Sequence, residues 1–234
     1  MLPGRHDERR FSWRREVALG LGVYATYLLV RKAALAGEGR ARAERNGERI
    51  VALERRLGIH VEPRLQQLVL PQRRLIAVLN LAYATLNVGV TVVWLIRLFR
   101  RRDPGFHRFR RASVLAVLGA QPAFLLFPTA PPRKLGHLVD TIAEVSGVDL
   151  DSGLVAKLYH PLAAMPSIHV TIAVVTAAGI RETSTHAWAR RLAPAYPPLV
   201  AAIVFVTANH YVLDAAAGGV LGRLALRIAR WRGK

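Results

Sequence analysis

Apolar residues fall in blocks along the chain, and those blocks set the first expectations. Stretches with little or no charge cover 17–30, 75–95, 112–131, 158–180 and 192–222. Within the second, LIAVLNLAYATLNVGVTVVWLI at 75–96 carries no charged residue over 22 positions, the length a helix needs to cross ~30 Å of hydrocarbon. The last stretch runs for 31 residues and divides near Asn209–His210 into two shorter spans. The pattern predicts six membrane crossings, at 13–31, 75–96, 112–128, 165–181, 196–209 and 211–229, the first and fifth being the weakest on apolar length. A soluble helical protein of this length would have too little polar surface to cover five such blocks. A cleaved signal peptide would explain only the first, and no clear small-residue cleavage site follows Val30.

Residues 31–74, between the first two spans, read as helical but not as a crossing. Ala, Arg and Glu dominate 33–57, and Glu44–Glu48 with Arg45–Arg49 repeat at a spacing of four. Gly58 and Pro63 set off a second short segment containing Leu65, Leu68 and Val69. Ile50, Leu53 and Leu57 form an apolar stripe, which predicts an amphipathic helix at headgroup level; a lid over a site is the other reading. The expected organisation is an N-terminal transmembrane helix with an interfacial helical segment at 1–74, followed by a catalytic transmembrane bundle at 75–234.

Charge sharpens this picture. Lys and Arg outnumber Asp and Glu by 34 to 15, for a net +19, which in a soluble protein would suggest nucleic acid. Here the basic residues flank apolar spans, where they would meet anionic lipid headgroups, so no nucleic-acid partner is expected. With the N-terminus in the cytoplasm, the segments on that side (1–16, 97–111, 181–195 and the tail from Arg223) hold 20 basic and 5 acidic residues. The connector 128–164, on the opposite side, holds 3 basic and 4 acidic. This is the positive-inside bias. Residues 31–74, with 11 basic and 5 acidic, run against it. The expectation is a multi-pass cell-membrane protein with both termini cytoplasmic. The absence of cysteine excludes disulfides, thiolate metal sites and cysteine nucleophiles.

Three polar motifs interrupt the apolar pattern. FPTAPPRKLG at 127–136 stiffens a connector with three prolines and holds Arg133 and Lys134 just beyond the lipid. Arg133 offers a planar fork of donors suited to phosphate oxygens; a snorkelling pair at a helix end is the plainer reading. In HPLAAMPSIHV at 160–170, Pro166 can serve as the first helical residue, with Ser167 and His169 in the first turn. Amides at a helix start with a hydroxyl beside them make a phosphate cradle, and the imidazole can give a proton to a departing oxygen. A histidine capped by backbone is the alternative. In TANHYVLDAAAG at 207–218, His210 and Asp214 lie four apart on one helix face, so the acid can hold one ring nitrogen and free the other. A structural pair tying two helices together is the alternative there, and Gly218, Gly219 and Gly222 permit close helix approach.

In the six-span arrangement Arg133, His169 and His210 all lie at outward ends of spans, on one membrane face. One cation, one serine, two imidazoles and one acid at one depth suit phosphoryl transfer without an obvious metal or other cofactor. His210 would attack phosphorus while Asp214 steadies the imidazolium. Arg133, with Lys134 as possible help, would hold the equatorial oxygens. Ser167 would donate to one of them, and His169 would protonate the leaving oxygen. A metal held by His169, His210 and Asp214 is the competing chemistry, opposed by the nearby cations Arg133 and Lys134.

MPSIH at 165–169 and NHYVLD at 209–214, preceded by FPTAPPR at 127–133, resemble the type 2 phosphatidic acid phosphatase (PAP2) superfamily. The likeness is closer to its inositolphosphotransferase-like (inositol phosphorylceramide synthase-like) branch. It is best from about Asn80 to Gly222, and the histidine motifs lie 41 residues apart. The resemblance implies an all-α, six-transmembrane-helix bundle with its site near one leaflet, which the charge bias makes the extracytoplasmic one, usually working without metal. It also implies a proton donor at His169, a phosphate-binding hydroxyl at Ser167, a nucleophile at His210, an orienting acid at Asp214 and a phosphate-binding cation at Arg133. Two features depart from the superfamily pattern. Its Lys followed after six residues by Arg-Pro is replaced by PPRK at 131–134, and its Ser-Arg pair before the final histidine would fall at the apolar Ile203 and Val204. Lys134 or Lys157 could replace the lost cation. The expected activity is a membrane phosphatase acting on a lipid-linked phosphate through a phosphohistidine. Transfer of a phosphate-containing headgroup to an alcohol or lipid is the alternative, and a transporter or scaffold the non-enzymatic one.

Overall fold

The computed structural model describes residues 11–147 and 160–231, and among these every regular element is helical. Two long helices flank a shorter pair at the N-terminal end: α1 (Trp13–Leu35), α2 (Gly39–Leu57), α3 (Glu62–Val69) and α4 (Arg73–Arg100). Then come α5 (Phe106–Leu126), a 3-10 turn at Pro132–Lys134 and α6 (Thr141–Ser146). The C-terminal part holds α7 (Ile168–Thr183), α8 (Ala187–Leu192), a 3-10 turn at Ala193–Ala195, α9 (Tyr196–Val206) and α10 (Val212–Trp231).

All-helical architecture is as the apolar blocks predict, and each of the six expected spans coincides with a helix. Among the described residues, only α1 and α4 are long and apolar enough to cross a membrane. They turn Leu21, Leu29, Val78, Leu81, Val88 and Val93 outward, a surface suited to lipid. The other four fall short for two physical reasons. Helix α9 has 11 residues and α7 has 16, about 16 and 24 Å of rise. Helices α5 and α10 include Arg108, Arg110 and Arg111, and Arg223, Arg227 and Arg230, within their turns.

The core lies where α7 meets α9, α10 and α4. Val170 and Ala173 of α7 pack with Val200, Ile203 and Val204 of α9 and Ala215 of α10. Helices α7 and α10 approach closely because α10 has no side chain at the crossing. A Cβ on Gly218 would lie 2.5 Å from the Ser167 carbonyl oxygen, and one on Gly222 2.7 Å from that of Thr171. Gly219 faces open space and is not part of that contact. Two polar pairs cross between helices inside the bundle: Asn80 donates to the Thr141 carbonyl at 2.7 Å, and the Thr91 and Thr176 hydroxyls lie 2.8 Å apart.

Helix α2 meets the rest of the protein through a face that overlaps the apolar stripe only at Ile50. Leu53 and Leu57 of the predicted stripe are exposed, while Ala43, Asn46, Gly47, Ile50, Val51 and Glu54 are buried. The buried set follows helical spacing, but it combines small residues with an amide and an acid. It packs against the connector after α5: Ala130 donates its N–H to the Ala43 carbonyl at 3.0 Å, and the Asn46 amide donates to Pro128 O at 2.8 Å. Tertiary hydrogen bonds, more than apolar moment, decide how this helix sits.

Candidate active site

Two connectors bring the sequence motifs together. The chain after α5 pairs with the chain before α7: Thr129 N–H donates to Leu162 O at 2.9 Å, and Ala164 N–H donates to Thr129 O at 3.2 Å. Helix α7 then starts two residues later than the sequence suggests. Pro166 lies outside it, and Ser167 is the N-cap, its Oγ accepting from Val170 N–H at 3.4 Å. That leaves the buried hydroxyl its own hydrogen to donate. His169 remains in the first turn. His210 lies just ahead of α10, not inside a helix with Asp214, although the two side chains still meet.

The imidazoles of His169 and His210 face one another with ring centroids 5.5 Å apart at 61°. Both line a cavity of about 310 Å³, at the small end for a ligand site. Tyr27 of α1, Tyr83 of α4, Phe124 of α5 and His160 supply its other walls. Tyr83 stacks on His169 at 4.6 Å, limiting rotation of that ring. His160 gives its backbone N–H to the Tyr27 hydroxyl at 2.8 Å. Burial, and then the nearby Arg31 charge, push the His160 imidazole down to about 4, so it is neutral at physiological pH.

His210 Nδ1 lies 2.8 Å from the Ala164 carbonyl oxygen and 3.4 Å from Asp214 Oδ2. A carbonyl oxygen only accepts, so the shorter contact places the proton on Nδ1 and leaves a lone pair on Nε2. The sequence suggests Asp214 for this job; the structure gives the closer contact to a backbone carbonyl. Asp214 is fully buried and also binds backbone: its Oδ2 accepts from Tyr211 N–H at 3.1 Å, and its carbonyl accepts from Ser167 N–H at 3.0 Å. It thereby joins the start of α7 to the start of α10.

Arg133 is buried one layer behind the imidazoles and does not line the cavity. Its Nε donates to Asn209 Oδ1 at 3.0 Å and its Nη1 to Asp140 Oδ2 at 2.6 Å, while its backbone N–H donates to Ala208 O at 3.0 Å. Asn209, beside His210, does line the cavity. Lys134 does not; its Nζ is 3.9 Å from Asp140. Ile203 and Val204, where the superfamily's second cation would stand, are buried in the apolar core. Lys157 lies outside the described residues.

Sequence reasoning missed Tyr83, His160, Asn209 and Asp140. It also missed two acids that fix the backbone after His210. Glu62 Oε1 accepts from Val212 N–H at 2.9 Å, and Glu54 Oε1 accepts from Leu213 N–H at 2.7 Å. With Asp214 on Tyr211, three successive amides at the α10 N-terminus each meet a carboxylate. That arrangement satisfies donors a helix start leaves free and places negative charge at the positive end of the dipole. One available signal was the position of Glu54 on the same face as Ala43, Gly47 and Ile50.

No curated protein and no solved structure matches the chain significantly. A sequence model described as the PAP2 superfamily matches residues 48–228, which takes in α3 to α9, most of α2 and α10, and both histidines. Members of that superfamily are generally phosphatases or phosphotransferases and commonly membrane-associated. With most of its length matched, the chain belongs to the PAP2 superfamily.

Proposed function

We propose that the protein is a membrane phosphatase that hydrolyses a lipid-linked phosphate through a phosphohistidine on His210. The observation that carries this reading is the pair of imidazoles 5.5 Å apart on one cavity, with the tautomer of His210 set by Ala164 O. His210 Nε2 attacks phosphorus, an N–P bond forms, and the P–O bond to the lipid breaks. His169, entering protonated, gives its proton to the leaving oxygen. In the second half, His169 takes a proton from water as that water attacks the phosphohistidine, releasing inorganic phosphate and restoring both rings. Arg133 lends positive charge to the equatorial oxygens from one layer behind the cavity, where Asn209 and Asp140 hold its guanidinium in place. Ser167 donates its hydroxyl hydrogen to one of those oxygens, and Lys134 serves at longer range.

In this reading the six helices of the expected spans form the membrane bundle. Residues 1–74 act as anchor and cover, and 75–234 as the catalytic part. The site faces the extracytoplasmic side, both termini are cytoplasmic, and the basic loops contact anionic headgroups. Lipid reaches the cavity past Tyr27 of α1 and Tyr83 of α4, which line it on the two helices long and apolar enough to cross a membrane.

Headgroup transfer, as in the inositolphosphotransferase-like branch, is the second reading. It is favoured by the apolar Ile203 and Val204 where a second phosphate cation would stand. Both readings share the first half-reaction. Purified protein in detergent, given a panel of lipid phosphates, is expected to release inorganic phosphate. Phosphate recovered only as a new phosphodiester, when an alcohol or second lipid is added, would replace hydrolysis with transfer. Neither product from any lipid phosphate would refute both.

A further inference from the structure

A second cluster of imidazole and carboxylate lies at the start of α10. The side chains of Glu54 and Glu62 are fully buried, and each spends one oxygen, Oε1, on an α10 amide. Their other oxygens, Oε2, have no hydrogen-bond partner among the described residues, and neither does His60 Nδ1. One ligand atom from each of the three residues lies within 4.8 Å of the other two. His60 Nδ1 is 3.1 Å from Glu62 Oε2 and 3.6 Å from Glu54 Oε2, without hydrogen-bond geometry to either.

Two carboxylate oxygens turned toward one buried point are costly unless a shared proton or a cation stands between them. The spacing suits a metal ion. Ligands at 2.0–2.2 Å in tetrahedral array sit about 3.4 Å apart, and the two His60 distances bracket that value. One imidazole with two carboxylates selects a borderline first-row ion over the all-oxygen preference of magnesium or calcium. The His60 side chain keeps 13% exposure, which leaves a route for the ion and a place for a water ligand.

We propose that Glu54, His60 and Glu62 bind a divalent first-row transition-metal ion of the zinc class. The ion ties the α2–α3 junction to the first turn of α10. It is a resident structural ion, separate from His169 and His210, and takes no part in breaking the phosphate bond. Each carboxylate bridges, with one oxygen on the helix amides and one on the ion, so binding stiffens the backbone that follows His210.

The test uses the full-length protein in detergent, stripped with a chelator and titrated with Zn²⁺ by calorimetry and with Co²⁺ by visible absorption. The expected result is uptake of one ion per chain, a higher melting temperature, and cobalt bands of a nitrogen–oxygen site. His60→Ala, at the exposed edge of the cluster, is expected to keep its fold and lose about 10–100-fold in affinity. Glu62→Gln should lose a similar factor. No uptake at tens of micromolar metal would overturn the proposal, as would undiminished binding in His60→Ala. Binding abolished by His169→Ala would overturn it too, by locating the ion in the cavity. Because the readout is metal uptake, a failed phosphatase assay leaves this proposal standing, and failed uptake leaves the histidine chemistry standing.

Discussion

The chain holds two clusters built from the same side-chain types, histidine and carboxylate, joined by the few residues from His210 to Asp214. In the first, His169 and His210 face a cavity of about 310 Å³ and each other. In the second, Glu54 and Glu62 are sealed against backbone amides, with His60 alone near solvent. The difference lies in what each leaves open. A group that must meet a passing substrate needs an unoccupied ring nitrogen beside empty space, which His210 has because Ala164 O engages the other nitrogen. A group that must hold a helix start in place needs one oxygen fixed on the backbone amides, as Glu54 and Glu62 each have. Residue type alone does not separate these roles; the partners of each atom do.

That contrast is most sharply broken by exchanging outcomes between the clusters. His210→Ala is expected to lower kcat by at least about 10³-fold while leaving the melting temperature nearly unchanged. Glu62→Ala should do the reverse, removing the acceptor of the half-buried Val212 N–H and costing about 1–3 kcal/mol in thermal or denaturant unfolding. An inactive, stable Glu62→Ala protein would show that the second cluster belongs to the chemistry. Next in size, Arg133→Ala should lower kcat/KM by about 10²–10³-fold, since its guanidinium holds the cavity-lining Asn209, and Lys134→Ala by only a few-fold, since its ammonium lies 3.9 Å from Asp140. Equal losses in the two would mean that the sequence-level pairing of the cations describes the site better than the structure does.

Asp214→Asn sharpens the same point at smaller scale. Because Ala164 O already holds Nδ1 at 2.8 Å, the loss should be about 10–100-fold, smaller than for His210→Ala. The smallest effect concerns His160, whose folded-state value is lowered from 6.5 to about 4 by burial and then by Arg31. Its neutral form is the one the fold accommodates, so its contribution is fully present above 6.5 and lost as pH falls through 4. Melting temperature should drop by a few degrees over that window in the wild type, and less steeply in His160→Gln. Identical slopes would show that His160 does not carry this effect.

Helix positions were readable from the apolar blocks because they depend on local periodicity. The approach of His169 to His210 was readable because both motifs fall at the same end of neighbouring helices. Which face α2 buries was not, because Asn46 and Glu54 choose their partners across 82 and 159 residues of chain. The stripe leaves Leu53 and Leu57 on the surface, while tertiary hydrogen bonds set which side of the helix meets the protein. Arg133 was found as a cation from its motif, but its burial behind Asn209 depends on how the 3-10 turn at Pro132–Lys134 meets the end of α9. Crossing length was overestimated for α9, where Thr207, Ala208 and Asn209 leave the helix and bend the chain toward the cavity.

The central claim, that His210 takes the phosphoryl group, is tested most directly by trapping it. Protein mixed with a lipid phosphate and quenched under alkaline conditions, which preserve phosphohistidine, is digested and read by mass spectrometry. A phosphoryl group on His210, absent from His210→Ala and turning over at the rate of phosphate release, is the predicted result. A His210→Ala protein that still releases phosphate at the wild-type rate would contradict the account.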